Sequence, residues 1–399
     1  MFGEKARYSM LLALTGIWIV SASGSQRVTP PLRRSLVLDR PPVRIIADDF
    51  PVFSGITMDE ARGELIVTDD AQSSIRTYRG QFEPTNRIIE PIRQIRGEKT
   101  SLGFVCAVAI SPENKELYAV TGDDEWASVF SQEASGDLAP LRRFATDHGS
   151  AGISLDRKND ELFITSEHLN KVGVFARAAR GEGQERRYIQ GPATGLADPH
   201  GIYVDSASDE IFVTNHGNWR KTESGEKLAS VVLGTHETAA LRPSTGRFFP
   251  PSVTVYSRTA KGDAPPIRVI QGARTGLNLP IGVAVDPTSG QIAVASSADQ
   301  SVLFFDRKAN GDVAPVRVIK GALTGLNGPT GIYIDATRNE IWVSNWDNHT
   351  ATVYARAAAG NVRPLRTMRA APPGVLYAGF GNIGDVAFDP TRKEILVPN

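Results

Sequence analysis

The segment from Gly331 to Met368 reads GIYIDATRNEIWVSNWDNHTATVYARAAAGNVRPLRTM. Four stretches of it, Gly331 to Asp335, Glu340 to Asn345, Thr350 to Arg356 and Pro364 to Met368, are short, rich in Val, Ile, Tyr and Trp, and bounded by Gly, Pro, Asn or Asp. Runs of this kind are strands, because β-branched and aromatic side chains suit a pleated surface and the bounding residues supply turns. Named a to d in chain order, they form an antiparallel meander. One such unit cannot bury its apolar faces alone.

The unit recurs. A Pro-x-Arg tripeptide or its relic places an arginine at Arg44, Arg93, Arg142, Arg187, Arg268, Arg317 and Arg366, with gaps of 49, 49, 45, 81, 49 and 49. The a–b pattern also occurs seven times, as in GIYVDSASDEIFVTN from Gly201. Repeats of this period stack into a solenoid or a propeller. The last unit, DVAFDPTRKEILVPN from Asp385, stops after strands a and b, while SLVLDRPPVRII, Ser35 to Ile46, matches the c and d strands of VLFFDRKANGDVAPVRVI, Val302 to Ile319. Two strands from each terminus would then complete one blade and lock a ring. The expectation is an all-β fold, a seven-bladed β-propeller of four-stranded blades closed by both termini. The Pro-x-Arg arginines fall on strand d, the outer edge, where proline and charge discourage edge-to-edge pairing.

The 37 glycines and 25 prolines are spaced as turn punctuation, and 41% apolar residues support a sizeable core. Lys plus Arg equals Asp plus Glu at 44 each, which leaves no global field for nucleic acid or anionic lipid. The first residues form a separate segment: Lys5 and Arg7, the apolar run MLLALTGIWIV, then Ser21, Ala22, Ser23 and Gly24. That order is a secretory signal peptide over residues 1–24, too short for a comfortable membrane span. A single propeller domain over 25–399, secreted or periplasmic and without a transmembrane segment after cleavage, is expected. Cys106 is the one cysteine, so no internal disulfide forms.

The units resemble the NHL and YVTN type of bacterial repeat, in stretches such as GPTGIYIDATRNEIWVSNWDNHTATVYAR (from Gly328) and LPIGVAVDPTSGQIAVASSADQSVLFFDR (from Leu279). The resemblance implies a propeller of the lactonase-like superfamily, which includes secreted binding propellers, lactonases and lyases that open antibiotic lactone rings. It lies in strand and turn positions, so it implies architecture better than activity.

Loops a–b and c–d share one face of such a disc, and loops b–c and d–a the other. The first face reads as routine Asp, Gly and Asn turns. The second carries all six histidines, His148, His168, His200, His216, His236 and His349, together with Trp126, Trp219 and Trp346. The long gap adds an insertion at about 217–251 between strands b and c of the fourth blade, carrying Trp219, Phe248 and Phe249. Loops on a rigid scaffold carry recognition, so this face is expected to receive a protein or an extended ligand.

His200 and His216 flank adjacent strands, with Glu167 and His168 one blade back; imidazoles and a carboxylate suit zinc or another first-row metal. The alternative is a set of hydrogen-bonded loop histidines. An acidic arc, including Asp69, Asp70, Asp123 and Asp124, suggests calcium or solvated turn acids. Motifs for serine hydrolysis, phosphate loops and haem attachment are absent. The sequence therefore favours a binding or scaffold propeller, with a metal-assisted lactonase-type hydrolase or lyase as the alternative.

Overall fold

The computed structural model describes residues 49–83, 87–221, 246–377, 387–389, 391 and 394–396. Within them lie six four-stranded antiparallel sheets, each strand a to strand d in order, with strands a beginning at Phe53, Val105, Ser150, Pro199, Pro280 and Pro329. The turns follow from the sequence. In the sixth blade, Asp335 at the end of strand a accepts the Arg338 N–H through Oδ1 at 2.9 Å, and Asn339 takes a left-handed φ of 57° before strand b begins at Glu340. Asn tolerates that conformation better than branched residues do.

Six blades close the ring, and the expected seven are corrected by the seam itself. Serine or threonine near the end of strand b ties each of several blades to strand a of the next. Thr165 donates to His200 O, Thr214 to Ile281 O at 2.5 Å, and Ser344 to Ser54 O at 2.6 Å. The last of these joins the sixth blade directly to the first, by the same bond that joins the third to the fourth. Packing agrees: Phe53, Met58, Leu65, Val67 and Tyr78 of the first blade share one buried cluster with Trp342, Ala351, Val353 and Met368 of the sixth. No gap remains between them for a blade built from the termini. The segment Ser35–Ile46, the arginine at Arg44 and the signal peptide lie outside the described residues. The carboxy-terminal hairpin, Ala387–Asp389 with Glu394–Leu396, has the a–b pairing but forms a two-stranded sheet of its own. Counting repeats therefore overcounts the ring, because closure depends on the angle between blades rather than on how many units match.

A glycine in strand a makes the close approach possible. A Cβ on Gly331 would stand 2.6 Å from Ser54 O, and one on Gly201 would come closer still to Ile281 O. The glycine that opens the GIYID pattern is thus a contact between blades.

The Pro-x-Arg arginines also differ from expectation. They lie on strand d, at its first residue in every blade but the third, where Arg187 sits within Glu185–Ile189, but their guanidiniums turn inward to the glutamate that opens strand b of the same blade. Arg93 pairs with Glu64, Arg142 with Glu116, Arg187 with Glu161, Arg268 with Glu210 and Arg366 with Glu340. An arginine after strand c of the following blade often joins the same carboxylate, as Arg177 does Glu116 at 2.9 Å and Arg307 does Glu210 at 2.9 Å. Four of the pairs are two-pronged, Arg268 reaching Glu210 through Nη1 alone, and all are largely shielded from water, which strengthens them over surface pairs. In the fifth blade the glutamate is replaced by Gln291, which accepts from Arg317 Nε at 2.9 Å, and burial pulls the Arg317 pKa down to about 10. No described helix is long and apolar enough to cross a membrane.

Candidate metal and ligand site at the inner strand ends

Each blade presents two slots at the same end of the ring, one just before the strand a glycine and one just after strand b. In the fourth blade these hold His200 and His216. Pro199 pairs with Asn215, and the ladder runs on through His216 N–H to Asp198 O at 3.0 Å and Gly217 N–H to Ala197 O at 3.1 Å. That backbone pairing holds Asp198 opposite His216. Asp198 has φ 59°, a left-handed turn that Leu279 and Gly328 share before strands a of the next two blades. The turn belongs to the fold; the carboxylate belongs to this blade.

The two imidazoles stack, with centroids 3.4 Å apart and planes 18° from parallel. His200 Nδ1 lies 3.8 Å from Asp198 Oδ1, and His216 Nδ1 lies 3.8 Å from Asp198 Oδ2. His200 Nδ1 is also 3.2 Å from Asp198 O. On its other edge His200 Nε2 meets Glu167 Oε2 at 2.9 Å, and His168 Nε2 meets the second oxygen, Oε1, at 3.1 Å. His148 adds a tilted ring contact with His168 at 4.9 Å. Asn170 Oδ1 accepts the Asp198 N–H at 2.7 Å, tying the loops of the third and fourth blades together.

The electrostatics follow from this geometry. Burial alone would raise the Glu167 carboxyl, but hydrogen bonds from His168 and His200 outweigh it and hold it far below the usual carboxylate range. Burial opposes charge on His200, yet Glu167 and Asp198 raise its pKa above the ordinary imidazole value. Glu167 raises His168 likewise. His216 goes the other way, down to about 3, through burial and then the neighbouring His200. At neutral pH His216 is therefore an uncharged imidazole with a free lone pair. Its Nε2 has no hydrogen-bond partner among the described residues.

The other sequence-selected residues are placed as follows. Asp69 has no exposed surface: it accepts from Val52 N–H at 2.9 Å and Ser74 Oγ at 2.8 Å, and pairs with Arg76 Nε at 3.0 Å. Asp70 is buried and accepts from Ser54 Oγ at 2.8 Å, and burial pushes its carboxyl well up. Asp123 and Asp124 are exposed. Among the described residues the acidic arc forms no group of three convergent ligands; Asp198, His200 and His216 do. Burial, then the Asp70, Glu167 and Asp123 carboxylates, push the Cys106 thiol up.

His349 is also internal, with Nδ1 2.9 Å from Pro51 O across the closing seam. Trp126 lies under the Arg143 guanidinium at 4.9 Å, and Trp346 packs between Phe104 and Tyr377 at 6.1 and 6.0 Å. The insertion starts at the residue after His216. It forms a hairpin of Asn218–Lys221 with Gly246–Phe249, with Trp219 opposite Phe248. Phe248 is 62% exposed and Phe249 partly so. His236 lies outside the described residues.

Asp198 is the residue that sequence reasoning missed. Its signal was available, since Asp-Pro-His appears where the neighbouring units read Leu-Pro-Ile and Gly-Pro-Thr.

No family model matches the chain, and no curated protein matches it. Among solved structures the fold is similar to that of hydrazine synthase from Kuenenia stuttgartiensis, with a TM-score of 0.51 and 13% identity over 80% of this chain and 83% of that one. At that identity the likeness shows the fold alone, a β-propeller-like arrangement.

Proposed function

We propose that the chain is an exported propeller of the NHL and YVTN kind, and that it binds a protein or extended ligand on the face carrying loops b–c and d–a. The observation that carries this reading is the insertion hairpin that starts just after His216: it carries an exposed aromatic, Phe248, and springs from the inner slots where Asp198, His200 and His216 converge. Exposed aromatics beside desolvated polar groups are the usual anchors of recognition. Secretion or periplasmic residence is the reading of residues 1–24, and sequencing the mature amino terminus tests it.

A photo-crosslinking residue at position 248, with the same residue at Thr288 in an a–b turn on the opposite face as control, tests the binding face. Crosslinks to one discrete species from position 248 alone support the reading. Equal crosslinking from both positions, or none from 248, overturns it.

A second reading, a metal-assisted hydrolase or lyase acting on a lactone or similar ester, is favoured by the neutral His216 beside Asp198 and His200. Its discriminator is turnover of a lactone panel by intact protein that is lost on chelation and in His200→Ala.

A further inference from the structure

We infer that Asp198, His200 and His216 form a mononuclear site for a first-row transition metal ion of the zinc class, with Glu167 as the outer carboxylate that orients His200. This deepens the reading of the same face as a ligand site and replaces the sequence-level ligand set. Asp198 enters as a ligand, while Glu167 and His168 move to supporting places.

Three arguments converge. First, distance: both Nδ1 atoms stand 3.8 Å from different oxygens of one carboxylate. The three donor atoms already lie within 4.8 Å of one another, and ligands at about 2.0–2.1 Å in a tetrahedron lie about 3.4 Å from one another, so the donors need to close by at most about 1.4 Å, a shift that side-chain rotation supplies. Stacking leaves the two Nδ1 atoms side by side, and a turn of the His216 ring makes them converge. No described residue restrains that ring through Nε2.

Second, the outer partner: His200 gives its Nε2–H to Glu167 at 2.9 Å, so Nδ1, which without a metal ion turns its proton to Asp198 O at 3.2 Å, is the nitrogen that would give up its proton and take the ion beside the Asp198 carboxylate. A histidine that ligates a metal through one nitrogen and donates from the other to a carboxylate is how proteins fix the tautomer and strengthen the ligand. His168 then holds the second oxygen of Glu167 at 3.1 Å, which stops the carboxylate from swinging into the ligand set itself.

Third, uniqueness within the repeat: the slots filled by Asp198, His200 and His216 hold Leu279, Ile281 and Ser297 in the fifth blade and Gly328, Thr330 and Trp346 in the sixth. The repeat does not require these residues for folding. Two imidazoles and one carboxylate select zinc, nickel or cobalt over calcium or magnesium, which take oxygen ligands. Three protein donors leave at least one position for water or a ligand, as in sites that act on substrates rather than in closed structural sites.

The test uses the full chain, stripped with chelator, offered zinc or calcium in separate dialyses, and assayed by elemental analysis; cobalt-loaded protein is read by its visible ligand-field bands. The proposal expects close to one zinc per chain and no retained calcium. Asp198→Asn, His200→Ala and His216→Ala should each weaken zinc binding by about 100-fold or more. Glu167→Gln should weaken it by about 10- to 100-fold without removing the cobalt bands, and Thr288→Ala, in an exposed a–b turn on the opposite face, should leave binding unchanged. Far-ultraviolet circular dichroism identifies any variant that fails to fold, and for such a variant His216→Gln, which keeps the bulk, replaces it. Wild type that retains no zinc, zinc retained undiminished in folded His200→Ala or His216→Gln, or calcium taken up in its place overturns the proposal. Crosslinking from position 248 in metal-free protein is read separately, so failure of the metal site and failure of the binding face are told apart.

Discussion

The fourth and sixth blades carry the same scaffold and different inner ends. Glu210 and Arg268 in one correspond to Glu340 and Arg366 in the other; both Asn215 and Asn345 are buried and cap the loop before strand a, through Ala197 N–H and Asn327 N–H. Tyr256 OH donates to Thr194 O at 2.6 Å and Tyr354 OH to Thr324 O at 2.7 Å. Where the fourth blade gathers Asp198, His200 and His216, the sixth has Gly328, Thr330 and Trp346, and uses its histidine, His349, to seal the ring. The lesson is that one backbone slot can serve closure or chemistry, and the side chain decides which.

The largest expected effect strikes both blades alike. Gly201→Ala pushes a methyl into Ile281 O and Gly331→Ala into Ser54 O, so each should destabilise the chain by about 3 kcal/mol in urea unfolding. The second blade carries Ala107 in the same slot, so the clash reflects local spacing rather than an absolute rule. If Gly331→Ala alone were neutral, the sixth-to-first seam would be looser than the others and the six-blade closure would be in question.

Next are the rim pairs. Glu210→Ala strands Arg268 and takes from Arg307 one of its two carboxylates, Asp205 being the other, whereas Glu340→Ala strands Arg366 alone. These groups keep some contact with water, which lowers the cost below that of a fully buried pair. The expectation is about 2 kcal/mol for Glu210→Ala and about 1 kcal/mol for Glu340→Ala, by the same unfolding measurement. Equal losses would mean that the arginine from the following blade contributes nothing.

The pH dependence follows from the same carboxylates. Burial would raise Glu116 and Glu210, but Arg142 and Arg268 respectively outweigh it; for Glu161 the Arg187 hydrogen bond is the leading cause, and all three lie below the ordinary glutamate value. A carboxyl depressed in the folded state adds stability that is present above its unfolded pKa of about 4.3 and is lost as pH falls through the folded value. Unfolding monitored by tryptophan fluorescence should therefore show stability falling below about pH 4. Glu210→Gln should flatten that fall by removing one of the protons taken up.

The strand repeat, the turn chemistry and the place of the insertion were legible in the sequence because each is written in local pattern: period-two alternation, Asp and Gly at turns, one broken spacing. Blade number was not, since the terminal hairpin Ala387–Asp389 and Glu394–Leu396 has the right pattern without a place in the ring. The glutamate–arginine pairing was missed although Glu340 and Arg366 lie in one repeat 26 residues apart, because it is strand register, not spacing, that brings the first residue of strand b level with strand d. At the inner ends, His200, His216, Glu167 and His168 were selected together and lie together. Asp69 and His349 were selected by type and position, and both are internal, because side chains at loop ends satisfy backbone groups as readily as they meet a ligand.

The smallest expected effect separates the two histidines that a face assignment had made equivalent. His349→Phe removes the ring nitrogen that meets Pro51 O in a fully buried position at the seam, and leaving that carbonyl without its donor should cost about 1–2 kcal/mol. His216→Phe keeps a flat ring against His200 and deletes an imidazole whose charged form burial already disfavours and whose Nε2 lacks a partner among the described residues. Removing a polar group that is buried without full hydrogen bonding is neutral or slightly stabilising, so thermal unfolding should show a change within about 0.5 kcal/mol. Residues kept in place at no gain in stability are what a site retained for ligand chemistry contains, whereas the sealing histidine repays its burial directly. If His216→Phe destabilised the chain as much as His349→Phe, the fourth blade would be using its histidine as the sixth does, for closure, and the contrast between the two blades would collapse.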